Sequence, residues 1–185
     1  MDTATPALRE LLILRHAKSD HSDPTLADFD RPLSERGRED AHTIGRWLQS
    51  QRLLPDYIMT SPAKRTLQTI RRAKSHFDID NRIQCHHEPS LYEATLTDLL
   101  TALAATPAQH ERLLIVGHNP SLEQLLTYLA PETNSLEEVK LFPTGALAQL
   151  ILPSNWQTLQ AGCGKLINLW RVKALPTTAS LNESY

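Results

Sequence analysis

The chain has 185 residues, 41% of them hydrophobic and 22% charged, which suits one compact domain with a sizeable core and leaves little room for a second. A formal net charge of -2 and a pI near 6.4 exclude the broad basic field that holds nucleic acid or anionic lipid, so neither is an expected partner and any bound anion must be held locally. The only two cysteines, Cys85 and Cys163, lie far apart without metal-ligand spacing, which argues against a disulfide framework or zinc ribbon and fits a reducing cytoplasm.

Residues 1–7 are polar and aperiodic, with none of the basic-then-apolar order of a signal peptide, and are expected to fray. Apolar runs along the chain reach only about four residues, against the ~20 that span a bilayer. Leu11 to Leu14 is the first such run and reads as a buried strand. Asp20 to Ser34 is a polar, aspartate-rich loop with Pro24 and Pro32, longer than a simple turn and a candidate rim for a site. Ala41, Ile44, Trp47 and Leu48 then recur at helical spacing, with Trp47 expected in the core.

Tyr57 to Met59 is a second apolar run, followed by Ser61-Pro62, which reads as the N-cap and first position of a helix bearing Leu67, Ile70 and Ala73. Arg82 to His86 supplies a weaker strand, and Leu113 to Val116 a strong one. After it Asn119 reads as an N-cap and Pro120 as the first helical residue of a segment with Leu122, Leu125, Leu126 and Leu129. Gly145 to Leu152 and Lys165 to Val172, separated by a stretch ending in Gly162 to Gly164, read as a late antiparallel pair. The tail from Pro176 to Tyr185 is again polar and aperiodic, leaving 8–175 as one expected domain.

Strands alternating with helices predict an α/β domain, a three-layer α/β/α sandwich around a mainly parallel mixed sheet, because parallel neighbours need crossover helices and bury both faces. In such a sheet ligands bind beyond the carboxyl ends of the strands. The residues there are Arg15-His16-Ala17-Lys18-Ser19, Thr60-Ser61-Pro62-Ala63-Lys64-Arg65 and Gly117-His118-Asn119-Pro120. Two histidines and several cations from three distant segments make a pocket for an anion, and helix N-termini after the second and third strands favour phosphate.

Arginine suits phosphate better than lysine, since its planar fork matches two oxygens and stays charged. With a dianion neutralised by Arg15 and Arg65, a neutral imidazole can approach phosphorus, and the transition state gains as its equatorial oxygens collect charge. His16 is the expected nucleophile and His118 a donor to phosphoryl oxygen, while Asn119 and Lys18 are counted with the substrate contacts. His86-His87 has no partners at metal-ligand spacing and reads as a strand end, so neither metal nor cofactor is expected. Ser61 lacks a serine-hydrolase elbow and is expected to cap rather than attack.

At these residues the sequence resembles the histidine phosphatase superfamily, also called phosphoglycerate mutase-like. Arg15 and His16 match its first element, Arg65 within Ser61-Pro62-Ala63-Lys64-Arg65-Thr66-Leu67-Gln68-Thr69 its second, and His118 within Gly117-His118-Asn119-Pro120 its third. Ala17 stands where the broad family has glycine. The short chain, Arg15 to Ser19, Asp30-Arg31-Pro32-Leu33-Ser34 and Leu91-Tyr92-Glu93-Ala94 are similar to the SixA branch, whose members remove phosphate from phosphohistidine.

The resemblance implies a phosphoglycerate mutase-like fold, a phospho-His16 intermediate, Glu93 as a candidate general acid and Arg31 as a candidate rim cation. A phosphorylated protein bearing phosphohistidine is then the expected partner. The competing expectations are a small-molecule phosphomonoesterase or mutase, and a non-catalytic module that recognises a phosphorylated partner.

Overall fold

The computed structural model describes residues 8–77, 83–135 and 141–175. The stretch expected to fray at each end lies outside the described residues, as does Arg82. Among the described residues no helix is long and apolar enough to cross a membrane.

The first strand, β1 (Arg9–Arg15), shows why a continuous apolar run is needed. Side chains alternate between the faces of a strand. Leu11 and Ile13 join a core with Leu99, Leu122 and Leu125 on one face, and Leu12 and Leu14 join a second core with Ile44, Leu48 and Ile70 on the other. Both faces are dry, so neither set of positions can be polar, and each fully buried leucine is worth about 1.5–3 kcal/mol. The same division runs through β2 (Tyr57–Thr60) and β4 (Arg112–Gly117): Met59 and Ile115 face the first core, Ile58 and Leu114 the second.

Six strands form one sheet in the order β3-β2-β4-β1-β5-β6. Strands β1 to β4 run parallel, whereas β5 (Ala146–Leu152) pairs antiparallel with β1 and β6 (Lys165–Arg171) antiparallel with β5. The late antiparallel pair is as expected, although Gly145 precedes β5 and Val172 opens a short 3-10 turn. The edge strand β3 (Gln84–His87) sits later than the expected 82–86. Its side chains are mostly exposed, so it lacks the alternation that would have located it.

Among the described residues four helices cover the faces: α1 (Glu35–Ser50) and α2 (Lys64–Lys74) on one, α3 (Leu96–Ala104) and α4 (Ser121–Leu129) on the other. Helix α1 is capped by Ser34, whose hydroxyl accepts from Gly37 N–H. A side chain on Gly45 would run into the Ala73 carbonyl, so this glycine lets α1 and α2 cross closely. The sequence reading did not place α3, although Thr95 and Asp98 form a reciprocal capping box at its start. Trp47 proves half-buried at the rim of the second core, edge-on to Trp170 at 5.9 Å.

Two cap expectations are corrected. Helix α2 starts at Lys64 with Ala63 at the cap position, not at Ser61-Pro62, and α4 starts at Ser121 with Pro120 at the cap position, not Asn119. Neither helix has a side-chain cap bond there, because alanine and proline side chains carry no acceptor; Ser61 Oγ accepts from Ala63 N–H at 3.4 Å ahead of α2 and lies beside His118 Nε2, and the Asn119 amide donates to Glu123 and Phe142.

Candidate active site

Because β4 lies between β2 and β1, the residues that follow these three strands emerge side by side. Arg15 is in register with Gly117, His16 N–H donates to Gly117 O at 3.1 Å, and Ser61 N–H donates to Val116 O at 3.0 Å. His16 and His118 thereby come together with ring centroids 5.2 Å apart. They open on a cavity of about 650 Å³, which Arg15 and Arg65 also line. The strand ends thus assemble the four residues expected to hold and attack phosphate.

His16 is 7% exposed, and its Nδ1 lies 2.8 Å from the Ala17 carbonyl. A carbonyl only accepts, so Nδ1 carries the proton and Nε2 keeps a lone pair. Burial, reinforced by the charges of Arg65 and Arg15, pushes the pKa down to about 4 against the opposing pull of the Ala17 carbonyl and Asp28. The ring is therefore neutral at neutral pH, as a nucleophile must be. His118 is driven down to about 3 by burial, then by Arg65 and His16. Its Nε2 lies 2.9 Å from Ser61 Oγ, while Nδ1 is buried with no partner among the described residues.

Each arginine is held from behind. Arg15 Nη1 donates to the Phe142 carbonyl at 2.9 Å, and Arg15 Nε is buried without a protein partner among the described residues. The Asn119 amide donates to the same carbonyl at 2.9 Å and to Glu123 Oε2 at 3.0 Å, so Asn119 lines the cavity and braces the Arg15 support. Burial lowers the Arg15 pKa, with Glu123 opposing and Arg65 adding to the shift. A guanidinium lowered from so high a value remains charged.

Arg65, in the first turn of α2, donates through Nη1 to the Asp28 carbonyl at 2.5 Å and through Nη2 to Asp28 Oδ2 at 2.8 Å. Asp28 also accepts from the Tyr92 hydroxyl at 3.1 Å and faces Arg31 at 3.4 Å. Burial alone would raise the Asp28 carboxyl, but Arg65, Tyr92 and Arg31 outweigh it and hold the pKa below the usual range. Asp28 belongs to the 20–34 loop, which is closed at its base by Asp20 N–H to Pro32 O at 2.8 Å and Ser34 N–H to Lys18 O at 2.9 Å. The loop does form a rim, and Asp28, Tyr92 and Thr144 line the cavity, of which sequence reasoning had named Tyr92 only as part of a family motif and the other two not at all.

Three comparisons bear on this geometry. The model of the histidine phosphatase superfamily, branch 1, matches residues 11–99. A protein of Mycobacterium tuberculosis is 31% identical over 159 residues, covering 83% of this chain and 96% of its own. A solved SixA structure from Agrobacterium tumefaciens superposes with a TM-score of 0.74 at 28% identity, covering 90% of this chain and 99% of that one. The chain belongs to the histidine phosphatase superfamily. It is a phosphatase with a phosphoglycerate mutase-like α/β fold, and the phosphohistidine phosphatase SixA of Escherichia coli is a more distant relative, 25% identical over 156 residues with 80% of this chain and 92% of that one covered.

In this histidine phosphatase the histidine of the first strand end is followed by Ala17, and the structure shows where its methyl goes. Ala17 is fully buried in a small cluster with Leu33 and Ala41, and its N–H donates to Thr69 Oγ1 at 3.1 Å. Glu93 lines the cavity from an exposed position with a φ of 53°, and Lys18 lines it from the opposite segment, also exposed. Arg31 does not line it; its guanidinium is taken by His21 Nδ1 at 2.9 Å and Asp28, behind the rim. His86 and His87 lie on the exposed edge strand, His86 Nε2 3.4 Å from Glu88.

Proposed function

We propose that this protein removes phosphate from phosphohistidine on a partner protein, in two steps and without a metal. The observation that carries the mechanism is the bond from His16 Nδ1 to the Ala17 carbonyl, which leaves Nε2 as the nucleophilic atom in a cavity with two arginines. The Nε2 lone pair forms a bond to phosphorus as the bond to the substrate nitrogen breaks, and the departing imidazole takes a proton from solvent. Water then attacks phosphorus, the bond to Nε2 breaks, and phosphate leaves with His16 neutral again. Arg15 and Arg65 carry the charge of the phosphoryl oxygens, and His118, which lines the same cavity, donates to one of them.

A protein substrate is supported by two features. An imidazole leaving group is far less basic than an alkoxide, so the reaction does not depend on Glu93 as an acid. The described chain between α2 and β4 is spent on β3, a 3-10 turn at Pro89–Leu91 and α3, whose Leu99 and Leu103 are in the core, so little of it is left to cover a protruding side chain. The E. coli relative is named a phosphohistidine phosphatase. We take residues 8–175 as one catalytic unit working in the cytoplasm. A second reading, a small-molecule phosphomonoesterase or mutase, is favoured by one observation, that Glu93 lines the cavity where a carboxyl could protonate an alkoxide.

The test is phosphate release from a phosphohistidine protein in the presence of chelator, comparing wild type with folded His16→Ala. Release that survives chelation and vanishes in the variant supports the reading. Equal activity in both proteins refutes the nucleophile, and small phosphoesters turned over far faster than any phosphohistidine protein refute the substrate class.

A further inference from the structure

A second cavity, of about 530 Å³, adjoins the catalytic one, and Lys18 and Thr144 line both. Among the described residues its wall carries Lys18, Arg36 and Lys173, together with Arg171, which has partners of its own, and no carboxylate. These come from the segment after β1, the first turn of α1, the end of β6 and the 3-10 turn at Val172–Ala174, so only the fold gathers them. Asp40, which takes Arg36 at 3.7 Å, stands outside the lining, and Arg171 Nη2 also donates to the Leu141 carbonyl at 3.3 Å. The charge is local, because the whole chain is net negative at -2.

Arg36 stands in the first turn of the 16-residue α1, next to Glu35 and paired with Asp40, which also lies in the field of Lys173. The macrodipole at this helix end adds to the positive potential beside the cavity, as an anion subsite requires.

We propose that this cavity receives acidic side chains flanking the phosphohistidine of the protein substrate, while the catalytic cavity receives the phosphoryl group. The proposal rests on the protein-substrate reading above. Lys18 and Thr144 stand between the two cavities, so both lie within reach of one extended segment. Selection by such a rim of charge acts mainly on encounter and binding and weakens with salt.

The test compares wild type with the double charge reversal Arg36→Glu/Lys173→Glu, both exposed sites, on three substrates. These are a protein whose phosphohistidine is flanked by Asp and Glu, the same protein with those residues changed to Asn and Gln, and p-nitrophenyl phosphate. The reversal is expected to lower kcat/KM on the acidic substrate by about tenfold, chiefly through KM, and to leave the other two within about twofold. Equal losses on all three, no loss on the acidic one, or equal wild-type rates on the two phosphoproteins would overturn the subsite alone. Wild-type turnover of p-nitrophenyl phosphate with none of either phosphoprotein overturns the protein-substrate reading, and this occupant with it.

Discussion

Acidification of the ligand-free protein examines the electrostatic argument at its centre. An imidazole with the ordinary pKa of about 6.5 would be only about 9% neutral at about pH 5.5, whereas His16, pushed down to about 4, would be about 97% neutral there. The free protein thus keeps its nucleophile ready some two pH units below the usual range. The sign for stability follows from proton uptake: between the folded and unfolded pKa values the unfolded chain binds the proton and the folded one does not, so stability falls as pH falls. For His16 the loss is about 2.5 kcal/mol between about pH 7.5 and 4.5, a conversion that its 7% exposure permits. The direct assay is an NMR titration of ¹³Cε1 in labelled histidine, with the His16 resonance assigned by its loss in His16→Gln. The resonance should stay flat from pH 8 to about 5.5 and move only near 4. A midpoint at or above 6 would refute the reasoning, since burial and the two arginines would then not be controlling the ring.

Two further substitutions probe the supports of the site. Asp28→Asn removes a carboxylate that occupies Arg65 Nη2, so tungstate or inorganic phosphate should bind several-fold more tightly by calorimetry; weaker binding would instead make Asp28 the brace that orients Arg65. Gly45→Ala should lower stability in urea by about 2 kcal/mol, although alanine is the better helix former, because its methyl must push α1 away from the Ala73 carbonyl; a stabilised variant would mean the helices do not cross so closely.

Local pattern determined much of this protein. Continuous apolar runs at Leu11 to Leu14, Tyr57 to Met59 and Leu113 to Val116 require a strand dry on both faces, which in turn requires helices above and below and a mainly parallel sheet. That geometry sends whatever follows each strand to one edge, so Arg15, His16, Arg65 and His118 were legible as a single site from sequence order alone. What stayed hidden are choices between equally good local partners. Ser61 satisfies every local rule for a cap, yet its hydroxyl lies beside His118 Nε2, 57 positions away, and the helix starts at Lys64. Asn119 likewise braces Phe142 and Glu123. Asp28 meets Arg65 only because a loop without periodicity folds back over the strand ends, and the cations of the adjoining cavity meet only where β6 returns beside α1. Periodicity records which face a residue must hide from water, and that is set within a few neighbours; which polar group it meets is set by crossovers spanning tens of residues, and only the tertiary structure decides it.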